Sequence, residues 1–109
     1  MTELAYLSAV EAAAAFRART LSPVELLDAV IDRSTLTEPT INSLVWPRFD
    51  EARAEARAAE QRFIAGSPLG PLDGIPLAVK EEMAITGHRN SQASKTLRDH
   101  RAEHTHPVA

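Results

Sequence analysis

One lysine attracts attention because a short apolar alternation leads directly into it. Residues 70–80 read Gly-Pro-Leu-Asp-Gly-Ile-Pro-Leu-Ala-Val-Lys, and we call them the lysine segment. Ile75, Leu77 and Val79 alternate with other residues at the period-2 spacing of a strand that buries one face. Because burial disfavours the charged form of an amine, Lys80 at the end of such a strand is suited to act as a general base.

The turn that leads into the predicted strand contains a glycine, which has the widest range of backbone angles, and a proline, which has the narrowest. Gly74 permits a positive φ, and Pro76 fixes φ near −65°. We expect this turn to support the geometry around Lys80. The alternative reading is that Lys80 ends an ordinary strand and extends its charged group into solvent, as most lysines do.

Local signals predict three helices before the lysine segment. Ser8 and Ser22 each precede a glutamate by three residues, which is the spacing of a capping box, and Pro23 occupies a first helical position. A third helix follows Asp50, with apolar residues recurring at spacings of three and four. The predicted helical ranges are about 8–18, 23–35 and 50–65.

Two strands complete the predicted architecture. One covers about residues 41–46 and ends before Pro47, and the other covers about residues 75–81. Residues 88–109 read as a polar tail. Helices followed by strands predict an α/β fold.

The lysine segment resembles the opening of the amidase signature family, serine hydrolases that cleave or transfer amide groups. Members carry a "GPL-GIP-A-KD" pattern, and this chain reads GPLDGIPLAVKEE. Further similarity covers residues 21–27, residues 41–45, the Thr86-Gly87 pair and Ser94, so the resemblance runs from about residue 4 to 108. It implies that the predicted strands belong to the family's large mixed β-sheet, of which this chain contains an incomplete part.

The resemblance also implies roles for particular residues. Lys80 is the expected base of a Ser–Ser–Lys triad, while Gly74, Pro76 and Ser94 support the site. Two positions depart from the family pattern: Glu81 replaces the usual Asp, and Ala93 replaces the usual Gly.

The serine-rich stretch that holds the two triad serines in this family does not occur among these 109 residues. We therefore expect residues 1–109 to form the N-terminal part of an amidase domain that is inactive by itself. With the two triad serines supplied, the amidase would act on a small-molecule amide. The alternatives are a non-catalytic truncated or partner-dependent module, and one half of a split enzyme that requires a complementary chain.

Composition excludes several other functions. A net charge of −3 offers no basic face for nucleic acid, and the absence of cysteine excludes disulfides and a cysteine nucleophile. No signal-peptide pattern or long apolar run is present, which predicts a cytoplasmic protein without membrane contact. Aromatic residues make up only 5% of the chain, so the predicted core is thin. A sheet that lacks most of its strands exposes unpaired edges and an apolar face, so we also expect self-association.

Two other patterns have chemical interpretations that we weigh against simpler ones. His100, Glu103 and His104 match the H-x-x-E-H zinc pattern, but they lie in a polar tail without an apolar helical face, so we predict no metal. The family resemblance implies no organic cofactor. Ser91 and Ser94 follow Lys80 closely enough to suggest a self-contained Ser–Lys catalyst, for which the sequence offers no further support.

The apolar stripe of the second predicted helix also has two readings. It is most simply part of the core, and the alternative is that Leu26 and Val30 form part of a dimer interface.

Overall fold

The computed structural model of this chain describes residues 3–109 and separates into two compact units, Met1–Pro76 and Leu77–Ala109. Three α-helices and one short 3₁₀ helix, Leu4–Tyr6, lie in the first unit. The α-helices are α1 (Ala9–Ala18), α2 (Pro23–Ile41) and α3 (Phe49–Ile64). Within residues 3–109 there is no β-strand, so the predicted α/β fold with two strands is wrong.

Capping boxes begin the first two helices. The Glu11 amide donates to Ser8 Oγ at 3.2 Å while Ser8 N donates to the Glu11 carboxylate at 2.9 Å. Ser22 and Glu25 repeat the arrangement, with both hydrogen bonds at 3.0 Å. These reciprocal bonds satisfy amide groups that would otherwise lack a partner at a helix start, which is why both helices begin where the sequence spacing indicates.

The first unit is held together by two small apolar clusters. Phe16 is fully buried and packs against Phe63 of α3, with the ring centroids 5.5 Å apart. The first cluster comprises Ala12, Phe16, Leu26 and Phe63, and the second comprises Leu27, Ile31 and Ala56. Because Leu26 is a buried member of the first cluster, the alternative of a dimer interface through Leu26 is not supported.

Helix α2 continues through the region in which the sequence predicts its end and the first strand. The hydroxyls of Thr35 and Thr37 donate to carbonyls of the preceding turn, so these residues remain compatible with a helix that also contains Pro39. Asn42 ends α2 in the left-handed conformation, with φ of 50°.

The side chain of Glu38 then occupies the donors that a strand at residues 41–46 would need for pairing. Its carboxylate accepts from the Ser43 hydroxyl, from Ser43 N at 3.1 Å and from Leu44 N at 3.0 Å. These bonds, led by the one from the Ser43 hydroxyl, hold the pKa of Glu38 below its usual value. The local capping of α2 therefore replaces the predicted strand.

The second predicted strand also does not form. Residues 75–80 adopt no regular secondary structure, since an alternating sequence becomes a strand only when another strand pairs with it. Backbone pairing in the second unit occurs instead at an isolated antiparallel β-bridge between Arg89 and Arg101. Ala102 N donates to His88 O at 3.0 Å, and Gly87 N donates to Ala102 O at 2.8 Å.

A search of residues 3–109 for membrane-spanning segments identified no helix with the length and apolar character needed to cross a bilayer.

Three glycines allow a matched test of packing at the turn before Lys80. A Cβ added at Gly74 would lie 2.9 Å from Pro23 Cγ and 3.2 Å from Phe16 Cε2, and φ there is 83°. We expect Gly74→Ala to lower the free energy of unfolding by about 2–4 kcal/mol, because overpacking adds to left-handed strain. Urea titration measures this change.

The controls separate these two contributions. Gly66 has φ of 73° but open space around it, so Gly66→Ala should cost only the strain, about 1–2 kcal/mol. Gly70 has open space and no left-handed φ, so Gly70→Ala should cost nothing measurable. Equal effects at all three positions would contradict the assigned packing of Gly74.

Candidate functional site

The loop that contains Gly74 is bound to α3 by a bidentate ion pair. Arg62 Nε donates to Asp73 Oδ2 at 2.8 Å, and Arg62 Nη2 donates to Asp73 Oδ1 at 2.7 Å. Asp73 Oδ2 also accepts from Leu69 N at 2.9 Å, and the Asp73 side chain is only 6% exposed. The Arg62 hydrogen bonds, assisted by those from the Leu69 and Gly74 amides and by the charge of Arg62, lower the pKa of Asp73 to about 2 against the opposing effect of burial.

Gly74 and Pro76, predicted as supporting residues, lie at the end of the first unit and are both half-buried. Gly74 has the positive φ that its residue type permits and packs against Phe16 and Pro23. Its packing role is thus toward α1 and the start of α2.

Lys80 belongs to the second unit, and its side chain is 73% exposed. Its Nζ lies 3.2 Å from Glu82 Oε1, and its carbonyl accepts from Met83 N at 2.9 Å in a turn. The observed partner of the amine is therefore a carboxylate near in sequence.

The next residue, Glu81, has partners nine and ten residues further along the chain. Its Oε1 accepts from Ser91 N at 2.5 Å and from Ser91 Oγ at 2.7 Å, while its backbone carbonyl accepts from Asn90 Nδ2 at 2.8 Å. Asn90 and Ser91 are buried, with exposures of 5% and 6%. The structure thus brings Ser91 to Glu81.

Ser94, predicted to support the site, is half-buried, and its amide donates to Ser91 O at 2.9 Å. The turn between these serines passes through Gln92 and Ala93, whose φ angles are 51° and 59°. This left-handed geometry gives a physical reason for the glycine that the family pattern has at the position of Ala93, because glycine adopts positive φ without strain.

The histidine pattern of the tail is not helical here. His100, Glu103 and His104 are exposed and lie outside regular secondary structure. No group of three or more potential metal ligands was found among residues 3–109.

Sequence reasoning missed the two polar contacts that organise these loops. Arg62 and Asp73 are eleven residues apart, and Glu81 and Ser91 are ten apart, so neither pair has a periodic or capping pattern. The available indication was the departure from the family pattern at Glu81, which identifies the position without identifying its partner.

Comparison with known proteins gives the family. A family model described as Amidase matches residues 25–108. A glutamyl-tRNA(Gln) amidotransferase subunit of Chloroflexus aurantiacus is 42% identical over 97 residues, covering 89% of this chain and 20% of that relative. Indoleacetamide hydrolase of Bradyrhizobium diazoefficiens is 35% identical over 101 residues, covering 93% of this chain and 19% of that relative.

This chain belongs to the amidase family, which confirms the resemblance that the lysine segment suggests. It spans about a fifth of the length of these curated relatives.

The low pKa of Asp73 predicts a specific loss of stability in acid. Because the folded pKa of about 2 lies below the ordinary value of 3.8, the stabilisation is complete above about pH 4 and disappears as the pH falls toward 2. We expect Asp73→Asn to lower the free energy of unfolding at pH 7 by about 1–3 kcal/mol and to flatten its acid dependence. Urea titrations at several pH values measure both effects.

Asp50 provides the control, because it also lies near an arginine but its side chain is fully exposed. Asp50→Asn should leave the stability at pH 7 nearly unchanged, because an ion pair with a fully exposed partner contributes little. An Asp73→Asn profile parallel to that of the unmodified chain would contradict the role given to the Arg62–Asp73 pair.

The left-handed geometry of Ala93 predicts that glycine is the better residue there. We expect Ala93→Gly to raise the free energy of unfolding by about 0.5–1 kcal/mol, since relief of about 1–2 kcal/mol of strain exceeds the added entropy of the unfolded chain. Ala65, an exposed residue with φ of −76°, is the control, and Ala65→Gly should destabilise the chain. Equal urea midpoint shifts in the two variants would argue against strain at Ala93.

Proposed function

We propose that this chain is the lysine-bearing part of an amidase that hydrolyses or transfers an amide group, with Lys80 as the general base of a Ser–Ser–Lys triad. The observation that carries the proposal is the family match over residues 25–108, which includes the whole lysine segment. One relative is named for amide transfer and another for the hydrolysis of indoleacetamide, so the proposal covers both reactions.

In the proposed reaction, neutral Lys80 accepts a proton from a bridging serine as that serine takes the proton of the nucleophilic serine. The nucleophile attacks the amide carbonyl, the C–N bond breaks, and the departing nitrogen receives the proton. Water then releases the acyl group from the serine, and in a transfer reaction the nitrogen that left in the first step passes to an acceptor. We propose a small-molecule amide as the substrate.

This chemistry needs more than Lys80. A base must lie within about 3 Å of the proton it accepts, and withdrawal from water favours a neutral amine. In this proposal the two serines come from a part of the amidase outside these 109 residues, either continuous with this chain or on a complementary chain. Gly74, Pro76 and Ser94 have supporting rather than chemical roles.

The exposure of Lys80 supports a second candidate function. A lysine that is 73% exposed beside Glu82 is compatible with a non-catalytic module that acts only through a partner. Exposed apolar side chains of the first unit, including Leu69 and Leu72, provide surface for such a partner. This second function predicts no amide turnover by the chain with or without a partner.

The deciding experiment isolates the tagged chain from its native cell and measures the intact mass of the tagged protein and of any protein that co-purifies with it. The same preparation is then assayed for ammonia release from glutamine and from indole-3-acetamide. For the active preparation we expect Lys80→Ala to lower kcat by about 10²- to 10⁴-fold, the usual contribution of a general base. The purified 109-residue chain alone should show no turnover.

Lys95 is the matched control, since it is the other lysine of the chain and is also exposed. Lys95→Ala should retain full activity. Full activity in Lys80→Ala would remove Lys80 from the mechanism, and absence of turnover in every preparation, whatever partner it contains, would favour the non-catalytic function.

A further inference from the structure

Glu81, which directly follows Lys80, is held through both its backbone and its side chain. Asn90 Nδ2 donates to the Glu81 carbonyl at 2.8 Å. The amide and the hydroxyl of Ser91 donate to Glu81 Oε1 at 2.5 and 2.7 Å. Hydrogen bonds to a charged acceptor are short and are stronger than those between neutral groups, so this connection restrains residue 81 firmly.

The residues that hold Glu81 are themselves fixed. Asn90 and Ser91 are the buried polar residues found among the described part of the chain, and Asn90 N donates to His100 O at 3.0 Å beside the Arg89–Arg101 bridge. Movement of Glu81 would leave buried polar groups without their partners, which is energetically costly. The carboxylate is therefore attached to an ordered part of the second unit.

Lys80 has weaker restraints of its own. Its side chain is exposed, and its amine contacts Glu82, which is also largely exposed. Such surface ion pairs contribute little to order. The Lys80 carbonyl accepts from Met83 N at 2.9 Å in a turn, and the peptide bond to Glu81 keeps the two Cα atoms about 3.8 Å apart. The hydrogen bonds of Glu81 therefore act on the Lys80 backbone through one covalent link.

We propose that Glu81 is a positioning residue. The hydrogen bonds that it accepts from Ser91 and Asn90 fix the backbone of Lys80 and so determine the position of the Lys80 amine. This inference rests on the proposed function of Lys80 as a base. The Ser91 hydroxyl above all, then the Ser91 and Gln92 amides and the charge of Arg89, hold the pKa of Glu81 below its usual value despite burial, which keeps the carboxylate an acceptor.

The length of the side chain matters in this arrangement. The observed bonds use the reach of a glutamate, and Glu81→Asp would withdraw the carboxylate by one methylene, about 1.5 Å, while preserving its charge. A role through hydrogen bonding to Ser91 therefore predicts that Glu81→Asp behaves like Glu81→Ala. A role through charge alone predicts that Glu81→Asp behaves like the unmodified chain.

The test is NMR of the full 109-residue chain labelled with ¹⁵N, comparing Glu81→Ala and Glu81→Asp with the unmodified sequence. We expect the order parameter of the Lys80 amide to fall from about 0.85 to below about 0.6 in both variants. Hydrogen exchange at the Ser91 amide should accelerate in parallel. In the control Glu82→Ala, which removes the observed partner of the amine, both quantities should stay unchanged.

The amides of Gly87 and Ala102 report whether the second unit remains folded, since both donate within the pair of segments around the Arg89–Arg101 bridge. If Glu81→Ala accelerates exchange there as well, Ser91→Ala decides the question, because it removes only the hydroxyl bond. An unchanged Lys80 order parameter in a folded variant overturns the proposal, as does a normal value in Glu81→Asp.

Activity of the tagged preparation from the native cell separates this inference from the proposed function. Ser91→Ala should lower kcat roughly tenfold or more without changing KM, because a misplaced base slows chemistry and leaves binding intact. Ser91→Thr, which keeps the hydroxyl, should have the kcat of the unmodified protein. If Lys80→Ala abolishes activity but Ser91→Ala does not lower kcat, only the positioning role fails. If Lys80→Ala is fully active, the proposed function fails, whatever the NMR result.

Discussion

The ion pair between Arg62 and Asp73 is the constraint on which the loop after α3 depends. This loop contains prolines and glycines and has no regular secondary structure, so its order must come from contacts with the rest of the first unit. Two charge-assisted hydrogen bonds from a helix to one almost fully buried carboxylate provide that order. Because the pair is mostly removed from water, it is screened less than the exposed ion pairs elsewhere on the helices.

The position of Gly74 follows from this constraint. Once Asp73 is fixed to α3, the next residue lies against Phe16 and Pro23 with no room for a side chain. Phe16 is in turn the fully buried residue at which α1 packs against Phe63. The Asp-Gly pair of the lysine segment therefore contributes to packing of the helical unit, in addition to any role in the proposed chemistry.

The second unit also contains a carboxylate that accepts several hydrogen bonds, but its donors follow it in the chain, whereas Arg62 precedes Asp73. There a carboxylate in a segment without regular structure, Glu81, accepts from the buried Ser91, and the backbone order of the neighbouring residues depends on it. In both units an anion with several donors substitutes for secondary structure. A family position that is usually Asp and is Glu here thus acquires a structural meaning, as does the glycine position occupied by the left-handed Ala93.

The sequence by itself determined the features that depend on neighbours within one helical turn, and the starts of α1 and α2 are examples. Ser8 and Ser22 bond to glutamates three residues away, and no distant residue needs to be known to anticipate those bonds. The sequence also determined the family, because the lysine segment is specific as a string of residues.

Only the tertiary structure decided whether an extended stretch pairs as a strand, since pairing requires a second segment that local alternation does not specify. It likewise decided that Leu26 is core and that Asp73 and Glu81 find Arg62 and Ser91. The physical reason is that these contacts join residues at least ten positions apart, where chain folding and not local geometry determines the partner.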